Sequence, residues 1–289
     1  MPALYARLGS NPSERNGELG SSQRILLTPK PPTNTKGNGM QKKLKPEERL
    51  IVAADFKPAA HLGKLWVESQ VLRLADKLSG TGVCLKVNSA LRACGYDLIG
   101  EIRSRSLQVF ADLKLFDIGA TLTIDGSFLK EVKPAIVTAA CAAGTDALLA
   151  LRTELPLEIQ ILGITVLTSL SSDDSKALFG VETEEAVVQF AGVAYDARLD
   201  GIVCAPKEIG RLRDIYDREG DDFSLVTPNI RPAWASVQGD DQNPERAMTP
   251  AEAIKAGAAR IVIGRPIVQA ANPYDAVMRT IDEIASAMA

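Results

Sequence analysis

From residue 50 onward, short apolar runs alternate with apolar stripes at helical spacing. The runs cover residues 50–54, 83–87, 107–113, 135–139, 159–166, 201–204, 223–226 and 260–263. Several are rich in valine and isoleucine and almost unbroken, as strands covered on both faces should be. Between them, Val67, Val71, Leu74 and Leu78 fall at i, i+4, i+7 and i+11. Val187, Phe190, Ala191 and Ala194 form a second stripe, and Val277, Ile281, Ile284 and Met288 a third. Such stripes are the core faces of amphipathic helices. Eight strand signals, each followed by a helical segment, predict an α/β protein with a (β/α)8 barrel over residues 47–289. A doubly wound open sheet is the alternative, but no G-x-G-x-x-G follows the first strand to support a dinucleotide site. Thr249-Pro250-Ala251-Glu252 predicts a helix start, with Thr as N-cap, Pro in the first turn and Glu closing a capping box.

Residues 1–46 break this pattern. They are rich in Ser, Asn, Pro, Gly and Lys, a composition too poor in apolar surface to order itself, and a flexible extension is expected there. Ile25-Leu26-Leu27 is too short for the core of a signal peptide, and Met40 offers an alternative start. The net charge of −3 hides an asymmetry: residues 1–40 carry five basic and two acidic side chains, net +3, leaving −6 for the remainder. An acidic barrel argues against nucleic acid as a partner, because neutralising phosphates calls for a basic patch. The longest mostly apolar run, residues 135–143, is too short to span a bilayer. Cys84, Cys94, Cys141 and Cys204 have no paired spacing and read as reduced thiols of a cytoplasmic protein. His61 is the only histidine, so a Ser-His-Asp or Cys-His mechanism, or a histidine-bearing metal site, would depend on that one residue. Chemistry therefore falls to carboxylates and lysines.

Those groups concentrate where the apolar runs end. In Phe110-Ala111-Asp112-Leu113-Lys114-Leu115-Phe116-Asp117, two acids and a lysine interrupt a run that predicts a buried strand. Asp112 and Lys114 are two apart and so project from one face, with Asp117 just past the strand end. A structural ion pair is the plain alternative, since charges in such a run are costly unless paired. Asp55 ends the first strand, Lys86 the second, and Thr168 follows the fifth. In a parallel barrel these ends share one rim, where ligands sit. The ends of strands seven and eight, where barrels commonly hold phosphate, supply Arg231, Gly264 and Arg265.

The segments Asp112-Leu113-Lys114-Leu115-Phe116-Asp117-Ile118, Val226-Thr227-Pro228-Asn229-Ile230-Arg231-Pro232, and Met248-Thr249-Pro250 leading to Ile263-Gly264-Arg265-Pro266 resemble those of orotidine 5′-monophosphate decarboxylases. The V-T-P-x-I-R-P segment is the more specific, because D-x-K-x-x-D also occurs in related sugar-phosphate decarboxylases and aldolases. The resemblance implies conversion of orotidine 5′-monophosphate to uridine 5′-monophosphate in a cytoplasmic homodimer, without metal or organic cofactor. It also implies that Lys86, Asp112, Lys114 and Asp117 form a charged network with Lys114 as proton donor. Asp55 and Lys86 would meet ribose hydroxyls, and Thr168, with Ser171 as alternative, the pyrimidine. Arg231, Gly264, Arg265 and Gln242, with Gln238 competing, would hold the phosphate. Asp117, Ile118 and Thr121 would reach into the partner's site. Two segments depart from the family pattern: Ile118-Gly119-Ala120-Thr121 lacks the usual Pro and Asn, and Val137-Thr138-Ala139-Ala140-Cys141 lacks a frequent His. The rival readings are a magnesium-dependent sugar-phosphate decarboxylase or aldolase of the same superfamily and a non-catalytic nucleotide-phosphate-binding barrel.

Overall fold

The computed structural model describes residues 44–58, 62–216, 223–235 and 248–289. The expectations for residues 1–43, including Met40, and for His61, Gln238 and Gln242 lie outside the described residues. Eight parallel strands close into a barrel in chain order, β1 (Leu50–Ala53), β2 (Cys84–Val87), β3 (Gln108–Leu115), β4 (Ile136–Ala140), β5 (Gln160–Ile164), β6 (Gly201–Val203), β7 (Ser224–Thr227) and β8 (Arg260–Ile263). Pairing of Ile51 with Val262 closes the ring. The helices are α1 (Gly63–Leu78), α2 (Ser89–Cys94), α3 (Asp97–Arg103), α4 (Gly119–Val132), α5 (Thr145–Glu154), α6 (Ser172–Phe179), α7 (Thr183–Asp196), α8 (Ile209–Tyr216), α9 (Pro250–Lys255), α10 (Arg265–Val268) and α11 (Pro273–Met288).

The unbroken apolar runs have a direct cause. Alternate residues of each strand enter two different cores. Ile51, Cys84, Phe110, Ile136, Leu162, Val226 and Val262 fill the barrel interior. Their neighbours Leu50, Val52, Leu85, Val109, Val137, Ile161, Leu225 and Ile261 pack outward against the helices. Both faces are dry, so no polar alternation marks the strands. The helical stripes complete the outer core: Val67, Val71, Leu74 and Leu78 of α1 are buried, as are Val187, Ala191 and Ala194 of α7 and Val277, Ile281 and Ile284 of α11. Phe190 is half-buried and stands edge-on to Phe179, ring centres 5.1 Å apart. The predicted cap of α9 is present, with Thr249 Oγ1 accepting from the Glu252 N–H at 3.2 Å and Glu252 Oε2 accepting from the Thr249 N–H at 2.8 Å.

Backbone packing is close at the start of β6. A side chain at Gly201 would put its Cβ 2.0 Å from the Ser224 carbonyl oxygen. At that same end of the barrel, Arg152 and Asp200 form an ion pair of 2.7 Å. The Arg152 guanidinium also donates to the carbonyls of Leu155, Pro156 and Ile159, and Asp200 accepts from the Ile161 N–H. The described cysteines are unpaired, and burial pushes the thiols of Cys84, Cys141 and Cys204 up to about 12. Among the described residues no helix is long and apolar enough to cross a membrane.

Candidate active site

The inward rows of β1 to β4 turn polar toward the C-terminal end of the barrel. Ile51 and Ala53 of β1 lead to Asp55, Cys84 of β2 to Lys86, Phe110 of β3 to Asp112, and Ile136 of β4 to Thr138. A cavity of about 890 Å³ opens above them. That volume lies within the ordinary range for a small-molecule site.

On its floor the charges form one chain. Lys86 Nζ lies 2.9 Å from Asp55 Oδ2 and 3.4 Å from Asp112 Oδ2, and Lys114 Nζ lies 2.7 Å from Asp112 Oδ1. Thr138 Oγ1 donates to the same Asp112 Oδ1 at 3.0 Å, and Asn88 Nδ2 approaches Asp112 Oδ2 at 3.5 Å. Asp112 is only 7 % exposed and Lys86 8 %. Burial by itself pushes the Asp112 carboxyl up. The ammonium groups of Lys86 and Lys114, with hydrogen bonds from Lys114 and Thr138, outweigh it and hold the group below the usual carboxylate range. A buried carboxylate flanked by two ammonium groups is thus ionised at neutral pH.

The pairing of Asp112 with Lys114 agrees with their spacing, but the strand is not regular between them. Ala111 pairs with Val137 and Leu115 with Ala139, so Asp112, Leu113 and Lys114 face Thr138 alone. Lys114 takes a left-handed backbone with φ of 52°. For a residue with a Cβ this costs about 1–2 kcal/mol. The bulge leaves the Lys114 N–H without a ladder carbonyl on β4, and Thr138 Oγ1 accepts it at 2.9 Å. Bulges are common beside active sites because they re-aim a side chain.

The wall at the ends of β7 and β8, beside β1, carries Arg231, Gly264 and Arg265, with Asn229 between β7 and Arg231. Asn229 adopts φ of 65°, a conformation asparagine tolerates, and turns the chain after Pro228. The Arg231 N–H then donates to the Met248 carbonyl at 2.9 Å, tying this loop to the segment before α9. A Cβ on Gly264 would meet Ala53 at an ordinary 3.6 Å, so the glycine keeps volume open rather than relieving a clash within the protein.

Of the residues expected in the site, Asp55, Lys86, Asp112, Lys114, Thr168, Arg231, Gly264 and Arg265 line the one cavity. Ser171 does not: it caps α6, its hydroxyl donating to Asp174 Oδ2 at 2.6 Å. Asp117, Ile118 and Thr121 also lie off the cavity of their own chain. Asp117 and Ile118 are exposed, and Asp117 Oδ1 accepts from the Ile118 N–H at 2.7 Å. Within one chain the charged row is therefore Asp55–Lys86–Asp112–Lys114. Several contributors were not anticipated. Phe56, Lys57 and Trp66 form part of the wall, Phe56 and Trp66 meeting edge-on with ring centres 6.5 Å apart. Thr138 could have been found by continuing the inward alternation from Ile136. Trp66 falls outside the α1 stripe and carries no such signal.

Residues 48–280 match the model of the Orotidine 5'-phosphate decarboxylase / HUMPS family. The chain belongs to this family. It is similar to orotidine 5'-phosphate decarboxylase of Saccharophagus degradans, 34 % identical over 249 residues that cover 84 % of this chain and 96 % of that protein. The Pseudomonas fluorescens (strain SBW25) enzyme of the same name is 36 % identical over 245 residues, covering 82 % and 97 %. Among solved structures, orotidine 5'-phosphate decarboxylase from Lactobacillus acidophilus superposes with a TM-score of 0.63 at 26 % identity, covering 82 % of this chain and 99 % of that one. The family match spans the barrel, all eight strands of which fall within residues 48–280, and with it every residue of the charged row.

Proposed function

We propose that this chain decarboxylates orotidine 5′-monophosphate to uridine 5′-monophosphate, the last step of de novo pyrimidine synthesis. The observation that carries this reading is the buried Asp112 carboxylate between the ammonium groups of Lys86 and Lys114, in a cavity that also holds Arg231 and Arg265. Breaking the bond from C6 to the carboxylate releases CO2 and leaves the electron pair on C6, with little resonance to spread it. The Lys114 ammonium beside C6 stabilises that charge and gives it a proton, forming the C6–H bond; the neutral amine regains its proton from water. Asp112 faces the departing carboxylate. Two like charges about 4 Å apart repel by roughly 4 kcal/mol at an effective dielectric of about 20, and the repulsion ends as CO2 leaves. Arg231, Arg265 and Gly264 hold the phosphate, Asp55 and Lys86 the ribose hydroxyls, and Thr168 the pyrimidine. Gln242 or Gln238 completes the phosphate contacts. These remote contacts supply the binding energy that keeps the base pressed against Asp112.

The reaction needs no metal or organic cofactor on this account. A magnesium-dependent sugar-phosphate enzyme would require oxygen ligands where Lys86 stands, and an ammonium group cannot ligate magnesium. A silent binder of nucleotide phosphates has no use for a carboxylate aimed at an anionic ligand. The test follows the loss of orotate absorbance with purified protein, with and without chelator. Full activity in chelator is the expected result; no absorbance change in either arm overturns the assignment.

The assembly is read as a homodimer in the cytoplasm, with Asp117, Ile118 and Thr121 of each protomer completing its partner's cavity. Large apolar side chains beside these residues support it: Phe116 is 67 % exposed, Ile118 69 %, Ile124 56 % and Phe128 52 %. Apolar surface of this kind favours burial against a partner. Sedimentation is expected to give twice the chain mass, and Phe128→Glu to shift it to the monomer with loss of decarboxylation.

A further inference from the structure

We propose that Thr138 is a positioning residue, whose single hydroxyl fixes both the Asp112 carboxylate and the backbone of Lys114 and thereby sets the distance between those two groups. The inference rests on the decarboxylase reading and adds to it a residue that does not reach the cavity. Thr138 is fully buried. Its Oγ1 donates to Asp112 Oδ1 at 3.0 Å and accepts from the Lys114 N–H at 2.9 Å. On its other side the residue pairs with Leu162 of β5, so its backbone is anchored in a regular ladder.

The bulge makes this hydroxyl necessary. Three residues of β3 face Thr138 alone, and the Lys114 N–H within this irregular stretch donates to the Thr138 hydroxyl. A buried N–H without an acceptor is unfavourable, so without the hydroxyl the strand would relax toward a regular pairing. In a regular strand Asp112 and Lys114 would keep only the general direction that their spacing dictates. The 2.7 Å contact depends on the bulge, and the bulge depends on an acceptor at residue 138. The same hydroxyl spends its proton on Asp112, which leaves one orientation that satisfies both partners. Asn88 cannot substitute, because it approaches the other carboxylate oxygen and only at 3.5 Å.

Two variants separate this role from simple packing. Thr138→Val keeps the shape and removes the hydroxyl, whereas Thr138→Ser keeps the hydroxyl and removes a methyl group. The valine variant is expected to lose kcat by roughly 10- to 100-fold with little change in KM, the scale of one hydrogen bond to a charged group. The serine variant should stay within about threefold of the parent. Because the hydroxyl helps hold Asp112 in its ionised form, the acid limb of the kcat profile should move to higher pH in the valine variant and not in the serine variant. Equal kcat in the valine variant and the parent overturns the inference, and so does a serine variant as impaired as valine. The serine result decides alone if the valine protein does not fold. A crystal structure of Thr138→Val keeps the question apart from the choice of substrate. The Lys114–Asp112 contact should lengthen and Lys114 leave the left-handed region; an unmoved pair overturns the inference even if the parent proves inactive on orotidine 5′-monophosphate.

Discussion

Lys114→Ala is expected to lower kcat for orotidine 5′-monophosphate by roughly 10⁴- to 10⁶-fold, combining loss of the proton donor with loss of the cation at the developing carbanion. The barrel should survive the change. Asp112 keeps Lys86 at 3.4 Å and the Thr138 hydroxyl at 3.0 Å, so no unpaired charge is left in the interior. The Lys114 side chain is about one-third exposed, so its removal opens the cavity rather than a void in the core. Alanine also meets the left-handed backbone on nearly the same terms as lysine, since both carry a Cβ. Far-UV circular dichroism and the thermal midpoint should therefore stay close to the parent while turnover falls. Turnover within tenfold of the parent in a folded Lys114→Ala protein would assign the proton to another group.

Burial of charge does not by itself identify the site. Arg152 and Asp200 form a pair as close as Lys114 and Asp112, at the other end of the barrel. There the guanidinium donates to three backbone carbonyls and the carboxylate accepts from the Ile161 N–H, and neither residue lines the cavity that holds Asp112 and Lys114. At the catalytic end, Lys114 carries three N–H donors and Asp112 accepts one. Its remaining protons face open volume. The distinction is between a charge pair whose terminal guanidinium nitrogens are spent on backbone carbonyls and one with donors left facing a ligand cavity.

Much of this arrangement was legible in the sequence because it follows from period two. Ile51, Ala53 and Asp55 step inward along β1 and beyond its end, and Phe110 and Asp112 along β3, so strand ends and inward acids come from the same count. Lys114 was placed beside Asp112 by that count and arrives there through a bulge that nothing in Asp-Leu-Lys announces, since neither Gly nor Asn marks the left-handed position. Thr138 follows from the same count, since Ile136 and Thr138 alternate inward in the ordinary way, although the absent His is the more conspicuous feature of that segment. Trp66 was illegible for a different reason: on a helix whose stripe is Val67, Val71, Leu74 and Leu78, a residue at the edge of that stripe reads as boundary surface. Ser171 stood as the alternative to Thr168 after β5; Thr168 lines the cavity, whereas the capping box of α6 occupies the Ser171 hydroxyl.

Asp112→Asn is the sharper test of how the site accelerates the reaction. If Asp112 acts by repelling the substrate carboxylate, the neutral variant should bind orotidine 5′-monophosphate at least tenfold more tightly while decarboxylating roughly 10³-fold or more slowly; relief of even a third of a repulsion of about 4 kcal/mol is worth a factor of ten in affinity. Titration calorimetry on the slow variant, beside single-turnover kinetics, measures both. Stability should change in the opposite sense to affinity. The flanking ammonium groups hold the Asp112 carboxyl below its ordinary range, so its charge stabilises the fold at pH above the unfolded carboxylate pKa, and that contribution is lost as pH falls through the lowered folded value. The parent should accordingly be more stable than Asp112→Asn near neutrality, with the gap in thermal midpoint narrowing on acidification below about pH 4. Weaker substrate binding together with the slower reaction would mean that Asp112 serves the ground state by ordering Lys86 and Lys114, and repulsion would then have no part in the catalysis.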